Sequence, residues 1–276
     1  MSINGLSAGV MIPRIVCPNF IESIDEMVEF VRDHKFDGVD WTFRPENTPH
    51  DRSGQARFIA DIRKIRPLPV RFHCFFNDSG FGDHDAERRK SAMQMFHKAL
   101  RLVSKVQGRS MTIHIGLGRD SSEDLSWMNV IDSLSQLVNL AADRRIRICL
   151  ENLPYGWTAR PDLYEKLIRK TNSWATLDVG HAQASDHVTS QYYDVEDFVA
   201  PHPERFLNAH VYDRETIDGH TAPGSLSDIE QRLDVLRGLP LCDWWVLELR
   251  EEKPLEKMLS VAREYFRDRL PDRAAR

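Results

Sequence analysis

The feature that most constrains the fold is an alternation of short apolar segments with helical segments, repeated eight times along the chain. The apolar segments are nearly continuous in hydrophobic residues, which is typical of strands that are buried on both faces of a parallel sheet. The predicted strands cover residues 9–15, 36–43, 70–76, 110–115, 146–152, 174–178, 206–212 and 244–250.

Helical spacing follows each of these strands. The predicted helices cover residues 21–34, 57–65, 86–106, 125–142, 161–169, 195–200, 227–236 and 254–267. Pro161 occupies the favoured first turn of its helix, and Ser227-Asp-Ile-Glu has the pattern of a capping box. Eight strand–helix units predict a single (β/α)₈ TIM barrel over residues 1–276, with its active site at the C-terminal ends of the strands. A doubly wound open sheet is the main alternative, but no G-x-G-x-x-G or P-loop follows any strand.

The composition restricts the classes of partner that the chain is expected to bind. It carries 37 basic and 42 acidic residues, a formal charge of −5, which argues against broad attraction to nucleic acid or to an anionic membrane. The apolar runs are too short to span a bilayer, and the N-terminus lacks the pattern of a secretion signal. The four cysteines are scattered without a C-x-x-C pair, as expected for reduced thiols in a cytoplasmic protein.

Six ionisable residues interrupt the apolar runs near the ends of six successive predicted strands. They are His73, His114, Glu151, Asp178, His210 and Glu248. In a barrel these positions converge on one mouth. A buried carboxylate costs several kcal/mol unless it is paired or bound to a metal. A single histidine is more often a packed residue than a ligand, and Glu248 beside Arg250 can be read as an ion pair; as a set, the six indicate a metal site.

The donor types restrict the metal. Imidazole and carboxylate without thiolate suit zinc, manganese, iron, cobalt or magnesium, and argue against an iron–sulfur or zinc–thiolate site. Three further residues, His181, Asp218 and His220, lie in loops that follow strands on the same side. These three either hold an additional metal or bind substrate and position a water molecule.

Four motifs follow one another on consecutive predicted strands: Glu151-Asn-Leu-Pro, Leu177-Asp-Val-Gly-His-Ala, His210-Val-Tyr-Asp and Leu247-Glu-Leu-Arg. With them, essentially the whole chain resembles the xylose isomerase-like TIM-barrel superfamily. That superfamily includes sugar-phosphate isomerases and epimerases and the endonuclease IV type of DNA-repair nuclease. One departure from the family is the loop Ser225-Leu-Ser after Pro223-Gly224, where a further glycine is usual.

The resemblance implies roles for these residues. In the epimerase-like branch, positions matching Glu151, Asp178, His210 and Glu248 bind a metal, Glu151 and Glu248 also transfer protons, and His181 contacts the substrate. In the endonuclease IV branch, positions matching His73, His114, His181, Asp218 and His220 complete a three-zinc cluster. The implied cofactor is therefore one to three divalent ions, Zn²⁺ or Mn²⁺, and Glu151, Glu248 and His181 are the predicted catalytic residues.

Three classes of function follow from this. The leading prediction is a metal-dependent isomerase, epimerase or related lyase that acts on a small sugar or other polyhydroxylated substrate through a metal-stabilised enediolate. The alternative is a multi-metal phosphoester hydrolase, and a barrel that binds metal without turnover comes last. Residues predicted to bind substrate at the mouth are Arg44, Trp41, Trp157 and Arg250. Basic, aromatic-rich insertions for gripping DNA are missing from the sequence, so the expected partner is a small molecule, with a homo-oligomer left open.

Overall fold

A computed structural model describes residues 12–76, 80–216 and 218–269, and within them eight parallel strands close into a barrel. All strands in chain order, including the two of a separate hairpin, are β1 (Arg14–Pro18), β2 (Gly38–Phe43), β3 (Val70–Cys74), β4 (Ser110–Ile113), β5 (Arg147–Glu151), β6 (Trp174–Asp178), β7 (Phe206–Val211), β8 (Arg214–Thr216), β9 (Gly219–Thr221) and β10 (Trp244–Leu247). β1 to β7 are neighbours in sequence order, and β10 pairs with both β7 and β1 to close the ring. The predicted (β/α)₈ barrel is confirmed.

Nine α-helices are present in the described part of the chain, and the longer ones pack around the barrel. They are α1 (Ile24–Asp33), α2 (Arg52–Ile65), α3 (Ala86–Lys105), α4 (Trp127–Ala142), α5 (Pro161–Thr171), α6 (Val179–Ala184), α7 (Asp186–Thr189), α8 (Glu230–Arg237) and α9 (Glu252–Arg269). Six begin at a side-chain cap that accepts a backbone N–H bond, at Ser23, Asp51, Asp85, Ser126, Asp178 and Ser185. None of the helices in the described ranges combines the length and apolar character needed to cross a bilayer.

Several predicted strands extend further than the observed ones. The first was predicted at residues 9–15, of which 9–11 lie outside the described residues, and the observed strand runs from Arg14 to Pro18. The third, fourth and eighth end earlier than predicted, at Cys74, Ile113 and Leu247. Most of the residues that follow are still buried, so hydrophobicity does not mark the point where pairing stops; they are Phe76, His114, Ile115, Glu248 and Leu249.

The region after β6 differs most from the prediction. α6 begins directly after Asp178, whose side chain accepts a bond from the His181 backbone N–H at 2.7 Å. Gly180 is required at this point, because a Cβ there would lie 2.1 Å from the ring of Tyr212. The helix predicted at residues 195–200 is a short 3₁₀ segment, Val195–Phe198.

The seventh strand–helix connection also differs. The predicted capping box at Ser227 lies instead on Ser225 and Asp228, which close a 3₁₀ turn, and α8 begins only at Glu230. The hairpin of β8 and β9 was not predicted from the sequence. It projects from the C-terminal end of β7, on the side of the barrel where the predicted site lies.

A polar layer inside the barrel lies among the β4, β6 and β7 strands. The Asn208 side chain donates to the hydroxyls of Thr112 and Thr176, each at 3.2 Å, and these two hydroxyls lie 2.9 Å apart. At another level of the interior, Trp244 donates its indole N–H to Asp40 at 3.0 Å. These buried groups satisfy one another, which fixes the strands whose ends carry the site.

Candidate metal and active site

Four side chains converge at the C-terminal ends of β5, β6, β7 and β10. Glu151 and Asp178 are the last residues of their strands, His210 lies within β7, and Glu248 follows β10 directly. The Nδ1 atom of His210 lies 3.0 Å from Oε1 of Glu151, 3.0 Å from Oε2 of Glu248 and 3.9 Å from Oδ2 of Asp178. One donor atom from each residue lies within 4.8 Å of the other three. We call these four residues the quartet.

The quartet buries three carboxylates around one imidazole. All four residues are at most 6% exposed. Burial opposes the charge on His210, but Glu151 and Glu248 outweigh it and raise the pKa of the imidazole well above its usual value. Burial likewise opposes charge on the two glutamates, yet His210 holds the pKa of Glu151 well below its usual range and that of Glu248 below it as well. The centre therefore concentrates negative charge around one site.

Unsatisfied oxygens show what the quartet lacks. Oε2 of Glu151 and Oδ2 of Asp178 are buried and accept no hydrogen bond of good geometry from the described residues, although an imidazole nitrogen lies 3.2 Å from the first and 3.3 Å from the second. Burial, the largest influence, raises the pKa of Asp178 to about 6, with Glu151 and Glu248 adding to it. Buried oxygens without partners are costly, and a divalent cation among them would offset that cost. The residues present fit a divalent metal with oxygen and imidazole ligands.

A second group of donors shares Glu151 with the quartet. The Nε2 atoms of His73 and His114 lie 3.3 Å apart, and Oε2 of Glu151 lies 3.5 Å from the first and 3.2 Å from the second. Burial, together with the neighbouring imidazoles, lowers the pKa of His73 to about 3, so its ring is neutral. Neutral imidazole is the form that binds metals. This group could hold a second ion beside the quartet.

A third group lies where the hairpin meets α6. Oε2 of Glu215 lies 3.6 Å from Nε2 of His181 and 3.0 Å from Nε2 of His220. The other ring nitrogens donate to backbone carbonyls, His181 to Asn152 at 3.0 Å and His220 to Glu248 at 2.6 Å, so the two Nε2 atoms point to a common space. Burial opposes protonation of His220, but its bond to Glu215 and the nearby carboxylates raise its pKa to about 9.

The predicted member Asp218 is replaced in this group by Glu215, which the sequence reading missed. Asp218 is exposed and lines the cavity, but it is not part of the cluster. The antiparallel register of β8 and β9 places Glu215 opposite His220. Gly219 is the first residue of β9, pairs with Thr216 and has a φ of +110°, a conformation that glycine adopts readily. Asp218-Gly219 in the sequence could have indicated a turn near this point, but the register that brings Glu215 to His220 is visible only in the structure.

A cavity of about 780 Å³ opens above these groups and reaches Glu151, His181 and Glu248. Part of its wall is apolar, formed by Phe75, Leu117, Leu153, Pro154 and Tyr155, and part is cationic, formed by Arg250, Lys253 and Lys257. The volume suits a small molecule.

Of the four residues predicted to bind substrate, two lie at the cavity and two lie away from it. Arg250 lines the cavity, and the Arg44 guanidinium lies 5.0 Å from the centre of the cavity-lining Phe75 ring. Trp41 instead packs edge-on against Phe58 of α2 at 5.8 Å. The preceding side chain, Asp40, bonds to Trp244 inside the barrel, so strand alternation turns Trp41 outward.

Trp157 also lies away from the cavity. It occupies a 3₁₀ turn, Trp157–Ala159, and packs edge-on against Trp127 at the start of α4, with 5.0 Å between ring centres. Both tryptophans thus contribute to packing between the barrel and its helices. Tyr155 is the aromatic side chain of this loop that reaches the cavity.

The chain belongs to the xylose isomerase-like TIM barrel family, whose model matches residues 28–269. An uncharacterised protein of Methanocaldococcus jannaschii is 26% identical over 170 residues, which are 60% of this chain and 72% of that protein. Similar solved structures include a protein from each of the two branches that the sequence resembles.

The structure of a D-tagatose 3-epimerase-like protein is similar over 95% of this chain and 99% of its own, with a TM-score of 0.72 and 17% identity. Endonuclease IV from Thermus thermophilus is similar over 93% of this chain and 100% of its own, with a TM-score of 0.65 and 16% identity. At these identities the likeness concerns the fold, and the chemistry has to be argued from the site.

Proposed function

We propose that the protein is a divalent-metal-dependent isomerase or epimerase, or a related lyase, acting on a small polyhydroxylated substrate. The observation that carries this proposal is the pair Glu151 and Glu248. Both carboxylates are buried, both lie 3.0 Å from the same atom of His210, and both line the cavity of about 780 Å³.

Each residue has a role in the proposed reaction. Glu151, Asp178, His210 and Glu248 would hold the metal, Zn²⁺ or Mn²⁺, which when bound polarises a substrate carbonyl and stabilises negative charge beside it. One glutamate removes the proton from the carbon next to the carbonyl, and the other returns a proton to the opposite face. His181, whose Nδ1–H is held by the Asn152 carbonyl, orients a substrate hydroxyl through Nε2.

Burial suits the glutamates to proton transfer. In a site closed to bulk water, a carboxylate that abstracts a proton is not competing with solvent for it. The apolar side of the cavity, with Phe75 and Leu153, favours exclusion of water from the reacting carbon. The two glutamates at the base of the cavity would therefore carry out the chemistry, and the apolar side chains around it would enclose the substrate.

A second candidate function is metal-assisted phosphoester hydrolysis. It is favoured by the number of donor groups, since the cluster around His73 and His114 and the cluster around His181 and His220 exceed what one metal requires. Clustered metals stabilise both the attacking and the leaving oxygen of a phosphoester. The formal charge of −5 counts against a duplex DNA substrate.

Solvent exchange tests the isomerase proposal. Protein purified with Mn²⁺ or Zn²⁺ is incubated in deuterated water with a panel of ketoses, sugar phosphates and sugar acids, and deuterium at the carbon beside the carbonyl is followed by NMR. We expect exchange with at least one member of the panel, and its loss in Glu151→Gln and Glu248→Gln. Glu251→Gln, at an exposed glutamate of the same cavity, is the matched control and should retain exchange.

Two results would count against this function. Exchange that persists in both glutamine variants would remove the proposed acid–base pair. No exchange across the panel, combined with metal-dependent cleavage of abasic-site DNA or of a small phosphodiester, would favour the hydrolase instead.

A further inference from the structure

Two arginines approach the same aromatic ring at the mouth of the cavity. The Cζ atom of Arg44, after β2, lies 5.0 Å from the centre of the Phe75 ring, and that of Arg250, after β10, lies 5.4 Å from it. Phe75 follows β3 directly and meets the His114 ring edge-on, with 5.7 Å between centres. Phe75 thus connects the arginine pair to the metal-binding groups below.

Two lysines extend this cationic surface. Lys253 and Lys257 belong to α9 and line the same cavity as Arg250. We call Arg44, Arg250, Lys253 and Lys257 the cationic rim. Within the described ranges, none of the four forms an ion pair with a carboxylate.

The acidic groups near the cationic rim do not form ion pairs with its side chains. Glu46 and Glu248 favour the charge on Arg44, and Glu251 lies in the cavity wall beside Arg250. Burial and the proximity of Arg250 nevertheless lower the pKa of Arg44. Positive groups held close together without a paired carboxylate form a site where an anion is stabilised.

The side-chain types point to the kind of anion. A guanidinium forms planar, charge-assisted hydrogen bonds that match a phosphate or carboxylate, and stacking on an aromatic ring fixes its orientation. Lysine adds charge without a preferred geometry. A neutral sugar hydroxyl would need none of these four charges.

The geometry points to a substrate that carries an anionic group, a phosphate or a carboxylate, which the cationic rim binds while the polyhydroxylated part reaches the quartet. This inference rests on the proposed function for the identity of the reaction, but the rim makes a separate contribution to binding. It narrows the substrate class to sugar phosphates and sugar acids, and excludes neutral sugars as the preferred substrates.

Binding of inorganic phosphate tests the rim without turnover. The full-length, metal-loaded protein is titrated with phosphate by calorimetry, next to Arg44→Gln, Arg250→Gln and Lys253→Gln. Arg160→Gln is the matched control, because Arg160 lies in a loop at the same end of the barrel but pairs with Asp162 at 3.0 Å. We expect about tenfold weaker binding for each arginine variant, less for the lysine variant, and no change for the control. Equal affinity in all variants would overturn the inference.

The exchange assay separates the two anions from a neutral substrate. We expect kcat/KM to be highest for a sugar phosphate or a sugar acid, and Arg250→Gln to reduce it by about tenfold or more, mainly through KM. The better of the two anionic substrates identifies the group that the rim binds. If kcat/KM is highest for a neutral ketose and is the same in Arg250→Gln as in the natural protein, the proposed anion-binding role of the cationic rim is refuted. The isomerase proposal is then retained. Arginine-dependent phosphate binding without exchange on any substrate would support the rim and refute the isomerase.

Discussion

Glu151 faces His114 with one carboxylate oxygen and His210 with the other, at 3.2 Å and 3.0 Å respectively. A single buried side chain therefore belongs to two donor groups, the quartet and the pair of histidines on β3 and after β4. Loss of Glu151 has to affect both groups, whereas loss of a residue that belongs to one group leaves the other with its donors.

Metal content should separate the two groups. We expect His114→Ala to lose the ion bound with His73 and to keep the ion of the quartet. We expect Asp178→Asn to lose the ion of the quartet and to keep the ion bound with His73. Glu151→Gln should reduce both. Metal per chain is measured by elemental analysis after saturation and removal of free ion. Identical losses in His114→Ala and Asp178→Asn would mean that the groups do not bind separate ions.

The third group provides a matched pair of substitutions. Glu215→Gln removes the carboxylate that contacts both His181 and His220, while Asp218→Asn makes the same chemical change three residues away on the exposed turn. We expect Glu215→Gln to lower the pKa of His220, followed by NMR titration, because the carboxylate that raises it is gone. Asp218→Asn should leave that pKa nearly unchanged. A larger change in the pKa of His220 in Asp218→Asn than in Glu215→Gln would mean that Asp218 is the acidic member of the group.

Gly180→Ala should destabilise the fold through one contact. The added Cβ would lie 2.1 Å from the Tyr212 ring, and the buried ring also stacks on His220 with 3.7 Å between centres. Overpacking of this kind costs about 1–3 kcal/mol, measured by urea denaturation. In a double-mutant cycle, Tyr212→Leu should make the added methyl group less costly. Additive losses would show that the strain lies elsewhere.

Asp83 should contribute stability that depends on pH. Burial opposes the charge on this carboxylate, but the Asp85 backbone N–H at 2.8 Å and Arg119 at 2.9 Å together lower its pKa. Because its pKa is lower in the folded than in the unfolded protein, the stabilisation is present above the unfolded value of about 3.9 and is lost as the pH falls through the folded value.

Substitution with asparagine isolates this contribution. Asp83→Asn should reduce the free energy of unfolding by about 1 kcal/mol at neutral pH, and the difference from the natural protein should shrink below about pH 4. Unfolding is followed by denaturant titration at several pH values. A difference that stays constant down to the lowest pH would show that the charge of Asp83 does not stabilise the fold.

The barrel and the floor of the site could be predicted from the sequence for a common reason. Parallel strands all end on one side, so residues that interrupt apolar runs at strand ends, such as His73 and Glu151, are brought together whatever the loops do. Their placement depends on the order of the strands and on which residues of each strand face the barrel interior. The pattern of hydrophobic residues indicates both.

Loop features escaped prediction because they depend on local register and on contacts between elements. Glu215 reaches His220 only because β8 and β9 pair in the register that places Thr216 opposite Gly219. The sequence predicts Trp41 at the mouth, but its neighbour Asp40 points into the barrel, and alternation along the strand therefore directs Trp41 outward. The proximity of Arg44 and Arg250 arises across Phe75, between residues about two hundred positions apart in sequence.

The most direct test of the account is the location of bound metal by anomalous X-ray diffraction from crystals of the protein saturated with Zn²⁺. We predict a peak surrounded by Glu151, Asp178, His210 and Glu248, with ligand distances of about 2.0–2.2 Å. A saturated crystal without anomalous density among these four side chains would contradict the central claim that the quartet is a metal centre.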